Sequence, residues 1–113
     1  NNDINHSNKV MKAALFFEDD QLCHLGENMG KKAIKVSTIT TEDDKIISIK
    51  NSEVKNRNMN YFTQWLVECG IKMIYVSGID EKVKRFFEQM KIIVNVKNQS
   101  DKTLLLAEIT SQK

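Results

Sequence analysis

Proline is absent, and glycine occurs at only four positions. That scarcity of turn formers argues against a turn-dense all-β sandwich. Cysteine and histidine occur twice each. Cys23 and Cys69 form no C-x-x-C pair and are too few for a disulfide framework, so a reducing cytoplasm is the simplest expectation. No apolar run approaches the roughly 18 residues of a membrane-spanning helix. Charge of one sign is also missing. Seventeen Lys and Arg against fifteen Asp and Glu leave a net charge of +2, too little for a strong nucleic-acid footprint. What remains is ordinary: 113 residues, 41% apolar and 28% charged, the profile of one globular domain.

The chain opens on a polar, Asn-rich stretch, Asn1–Lys9. It holds no apolar core of a secretory signal. Residues 1–10 are expected to be a flexible lead-in, and 11–113 the domain. His6 falls in this lead-in and reads as a solvated tail histidine.

Hydrophobic patterning predicts five strands and three helices. Val10–Phe17 reads as a buried strand ended by Glu18-Asp19-Asp20. Residues 21–32, with Gly26 and Gly30, read as a loop. Ala33–Thr40 and Lys45–Lys50 are rich in β-branched residues. The short charged turn between them makes an antiparallel hairpin. Asn51–Asn60 is nearly devoid of apolar residues and is expected to connect. Phe62, Trp65, Leu66 and Cys69 then share one helical face, with Asn58 or Asn60 to cap the start and Gly70 to stop it. Trp65 and Cys69 read as core, and Met59 as a staple at the helix entrance. Ile71–Val76 is a strand. Asp80 caps a second helix whose Val83, Phe86, Phe87 and Met90 form the inward stripe. Lys91–Val96 is the fifth strand. Ser100 or Asp101 caps a last helix, although Leu104–Leu106 also fits a short strand. The order β-β-β-α-β-α-β-α implies a mixed five-stranded α/β sheet with helices on both faces, the second half parallel by right-handed crossovers.

Three places could carry chemistry. The loop Gln21–Gly30 brings together Cys23, His24 and Met29, the softer ligand types, which suit iron–sulfur species, copper or zinc. Its glycines allow close backbone approach to something bulky. A closed zinc site takes four side chains, one more than the loop offers. The plainer reading is a loop plugged by Cys23 and Met29 with an exposed His24. The turn Ser77-Gly78-Ile79-Asp80 joins a strand to a helix where open α/β sheets bind ligands, but its carboxylate already fills the helix start. Glu18, Glu68 and Asp80 would have to converge for nuclease-type metal chemistry. No Ser/His/Asp set stands out, Cys23 beside His24 lacks an orienting third group, and neither nucleotide-binding glycine motif occurs. No catalytic assignment follows.

Taken together, C-H-L-G after the first strand, W-L-x-x-C-G-I-K at the first helix end and S-G-I-D before the second helix resemble the dinitrogenase iron–molybdenum cofactor biosynthesis family. The resemblance runs from Met11 to Ile109. The family's S-x-H-F-G appears here as Leu22-Cys23-His24-Leu25-Gly26. Its G-G-I-G appears as Ser77-Gly78-Ile79-Asp80. His24, Gly26, Gly78 and Ile79 match; Leu22, Leu25, Ser77 and Asp80 depart. The resemblance implies a ribonuclease-H-like three-layer α/β/α fold. It implies binding rather than turnover, with an iron–sulfur cluster or cofactor precursor as ligand and cofactor-assembly proteins as partners. On that reading His24 contacts the cluster, and Gly26 and Gly78 shape the loops around it. Cys23, as a second metal ligand, and Met29 join the site from ligand chemistry alone. The competing expectation is a metal-free interaction or regulatory domain on the same fold.

Overall fold

A computed structural model describes residues 9–26, 33–54 and 59–110. The element order is β1 (Val10–Glu18), β2 (Gln21–Leu22), β3 (His24–Leu25), β4 (Ile34–Glu42), β5 (Lys45–Val54), α1 (Met59–Glu68), β6 (Met73–Val76), β7 (Gly78–Ile79), α2 (Glu81–Gln89), β8 (Ile93–Val96) and α3 (Lys102–Thr110). All five expected strands and all three helices form. The expected lead-in mostly falls outside the described residues, and Val10 belongs to β1.

The main sheet runs β5-β4-β1-β6-β8, with β2 attached to β1. β4 pairs antiparallel with both β1 and β5, whereas β1–β6 and β6–β8 are parallel. Successive β1 residues point to opposite faces. Ala14 and Phe16 face α1 and α2, meeting Phe62, Leu66, Val83 and Phe87. Ala13, Leu15 and Phe17 face α3, meeting Leu105 and Ile109. The sheet is thus covered on both sides, and β1 is its centre. No helix among the described residues is long and apolar enough to cross a membrane.

Two hairpin turns are built alike. Asp19 and Asp20 have φ of 52° and 65°, and Asp43 and Asp44 have 53° and 68°. Positive φ at both central residues is the type I′ turn that matches strand twist. The first turn therefore does not merely end β1 in solvent. It returns the chain as β2, with Phe17 opposite Leu22.

Helix ends correct several expected boundaries. Gly70 has φ +77°, with Gly70 N–H bonded to Val67 O and Ile71 N–H to Leu66 O, both at 3.0 Å. This Schellman arrangement uses Ile71 to close α1, so β6 begins only at Met73. Lys91, φ +66°, and Ile92 close α2 the same way, bonding Glu88 O and Phe87 O at 2.9 and 3.0 Å. β8 accordingly begins at Ile93. The inward stripe of α2 narrows to Val83 and Phe87. Phe86 sits about 80° off that line at 3.6 residues per turn and is half-buried. Met90 lies at the C-cap, where the chain turns away, and is 41% exposed. Trp65 is half-buried, stacked on Phe62 at 6.3 Å. Asn51–Val54, expected to connect, continue β5, because β4 supplies their backbone partners. Their polar side chains are tolerated on an edge strand. At the start of α3, Asp101 Oδ1 accepts the Thr103 and Leu104 N–H groups at 2.9 and 3.3 Å.

Candidate functional site

The segment after β2 was expected to be loop. Its described part is tied down instead. Cys23 N–H donates to Phe16 O at 3.0 Å, Ser77 N–H to Cys23 O at 2.9 Å, and Asp80 N–H to Leu25 O at 2.9 Å. β3 and β7 form a small parallel pair with His24 opposite Gly78 and Leu25 opposite Ile79. This pair sits just past the carboxyl ends of β1 and β6, the usual ligand position in such sheets.

Strand alternation sorts the side chains. Cys23 and Leu25 point into the core at 4% and 0% exposure, and His24 between them points out, its side chain 57% exposed. His24 Nε2 lies 2.9 Å from Asp80 Oδ1. An ionised carboxylate only accepts, so Nε2 carries the hydrogen. In the neutral ring the lone pair then falls on Nδ1. Asp80 is the N-cap residue of α2, as its sequence position suggested, yet its side chain makes no cap hydrogen bond. Its carboxylate is turned to the imidazole.

The two glycines of the motif are explained by the same pair. A Cβ on Gly78 would lie 2.5 Å from His24 Nδ1, and a Cβ on Gly26 would lie 2.8 Å from Asp80 Oδ2. Each glycine makes room for one member of the pair. His24, Gly26, Gly78 and Asp80 thus form one mutually packed group.

Cys23 does not join them. Burial, and secondarily the charge of Glu18, pushes its thiol up to about 12. At neutral pH it stays protonated, and metals bind the thiolate. Its place in the core, packed with the sheet and α1, answers the residue's apolar character. Cys69 is a partly buried neighbour of the same core. Met29 lies outside the described residues. Glu18, Glu68 and Asp80 do not converge: among the described residues, no group of three or more His, Cys, Asp or Glu could hold a metal ion. Glu68 instead accepts a 3.3 Å hydrogen bond from Gln64 Nε2.

Asp80 as the partner of His24 is the contact in this group that sequence reasoning missed. The two are 56 positions apart, and only the β3–β7 pairing brings them together.

No family model and no curated protein matches the chain. Among solved structures, the crystal structure of PH0822 superposes with a TM-score of 0.61 at 19% sequence identity, covering 76% of each chain. At that identity the likeness shows a shared fold and nothing finer.

Proposed function

We propose that this chain is a non-catalytic binding domain on a ribonuclease-H-like scaffold, and that it presents His24 to its ligand. The observation that carries the reading is the exposed imidazole held by Asp80 over Gly78 at the carboxyl end of the central strands. The strand order β5-β4-β1-β6-β8, one half antiparallel and the other parallel, supports the scaffold. The motif resemblance supports a cytoplasmic protein of the iron–molybdenum cofactor biosynthesis type, with an iron–sulfur cluster or cofactor precursor as cargo and cofactor-assembly proteins as partners.

The side chains do not fit a resident cluster. Such clusters are held by thiolates, and the Cys23 thiol is in the core. Among the described residues the site offers one imidazole, so cargo would keep its other ligands. To take a metal through Nε2, His24 must first release Asp80. Anaerobic titration with a thiolate-ligated iron–sulfur cluster, read by visible absorption and iron content, tests this. Stoichiometric binding by the native protein and its loss in His24→Ala are expected. The withdrawal of Cys23 favours a second reading, a metal-free interaction domain. No binding by either protein would leave that reading standing and overturn the first.

A further inference from the structure

We propose that a second site, on the α3 side of the sheet, binds a small zwitterion of the short-peptide class. It lies apart from His24 and goes beyond the reading above.

α3 covers the inner strands of its face through Leu105 and Ile109. Beside it, over β4 and β5, a groove of about 660 Å3 remains open, a size common for small-molecule sites. The strand register sets its floor. Phe17 stands opposite Lys35, and Lys35 opposite Glu53; two residues along, Leu15, Ser37 and Asn51 make the next row. The far wall is Asp20 from the β1–β2 turn, with Ser100 and Lys102 at the start of α3. Lys102 Nζ lies 5.7 Å from the Phe17 ring centroid. A smaller recess of about 410 Å3 adjoins through Phe17, Asp20, Lys35 and Glu53.

The lining charges decide the ligand class. Two lysines, Lys35 and Lys102, and two acidic residues, Asp20 and Glu53, line one groove. Opposite charges directly across a strand pair usually engage each other. None of these four is in an ion pair among the described residues. Their sum is zero, which disfavours polyanions and polycations alike. The helix start beside them is not an open anion site, because Asp101 already occupies it. Neutral groups supply donors. Ser37 Oγ donates to Asn51 Oδ1 at 2.7 Å, which leaves the Asn51 amide hydrogens to donate. Ser100 Oγ accepts from Leu22 N–H at 2.9 Å, which leaves its own hydrogen. A ligand with an ammonium at one end, a carboxylate at the other and amide carbonyls between would engage charges of both signs and the neutral donors together.

The test is a backbone amide NMR titration with triglycine, N-acetyl-triglycine and triglycine amide. Saturable shifts centred on Lys35, Ser37, Asn51 and Ser100 are expected with triglycine. Each blocked form should bind about tenfold more weakly, the loss of one charge contact. Glu53→Gln should reduce the penalty of N-acetylation, and Lys35→Gln that of amidation. His24→Ala should leave all three titrations unchanged, so this site and the His24 site fail or stand separately. No saturable shift with triglycine, or equal binding of the blocked forms, would overturn the proposal.

Discussion

Asp80 holds the ring of His24, Oδ1 to Nε2 at 2.9 Å, and in doing so leaves the first turn of α2 without a side-chain cap. The residue sits where helix physics places an aspartate, but its carboxylate serves the neighbouring strand. Removing it should therefore spare the helix. Both partners are about half exposed, and exposed pairs contribute only about 0.2–1 kcal/mol. Asp80→Ala should lower unfolding free energy by less than about 1 kcal/mol in urea titration. Its NMR signature should be a His24 ring that loses its fixed orientation. A loss of several kcal/mol would show that the carboxylate supports the fold rather than the imidazole.

Gly78→Ala should disturb the same ring from beneath. The added methyl would lie 2.5 Å from Nδ1, too close for any ordinary contact, and 3.3 Å from Cε1, a tight one. Because the imidazole is exposed, it can swing outward instead of straining the sheet. Stability should change little, while the His24 ring signals should move as in Asp80→Ala. A large stability loss with unmoved ring signals would mean that the β7 backbone, not the ring, yields.

Much of this fold is written locally. Gly70 stops α1, Asp101 caps α3, and the Asp43-Asp44 turn folds β4 onto β5, each within a few residues of its partners. The Asp19-Asp20 turn carries the same signal, but the strand it returns is only two residues long, too short for any period to show. β3 and β7 are equally short and pair across 54 positions, as His24 with Gly78. Their residues look like loop because nothing nearby in sequence supplies the ladder. The site inherits that blindness. The motif pointed to His24, Gly26 and Gly78, and the structure packs them together. Cys23 entered from ligand chemistry alone, and strand alternation sends the side chains of adjacent residues to opposite faces. Asp80 was assigned to its helix because local propensity cannot register a competing long-range partner.

The two helix stops predict opposite signs for opposite substitutions. Gly70 has φ +77°, and a Cβ there would meet only Lys12 Cδ at 3.9 Å. The cost of Gly70→Ala is thus conformational, about 1 kcal/mol. Lys91 occupies the equivalent position after α2 at φ +66° with a side chain. Lys91→Gly should stabilise by about 0.5–1 kcal/mol, because glycine accepts the left-handed region without the Cβ clash. Paired thermal and urea unfolding of the two variants checks both signs. A destabilised Lys91→Gly would mean that the lysine side chain makes a contribution larger than its strain.

The buried acids set an alkaline limit on stability. Burial, with help from Glu18, raises the Cys23 thiol from 9.0 to about 12. Burial, with help from Glu108, raises the Tyr75 phenol from 10.0 to about 12. Between those values the native state keeps protons that the unfolded chain has lost, so stability falls as pH rises. Each group can remove up to about 1.4 kcal/mol per pH unit within its window. The stability present below pH 9 should therefore decline gently from pH 9, where only Cys23 contributes. It should fall more steeply above pH 10, where Tyr75 joins. Urea midpoints measured at rising pH resolve the two onsets. Cys23→Ala is less stable at neutral pH, by the loss of core contacts, but its decline should begin about one unit later. Tyr75→Phe should keep the early onset and lose the steeper segment. If Cys23→Ala kept the same profile below pH 10, the native thiol would ionise as readily as the unfolded one, and its placement inside the core would be wrong.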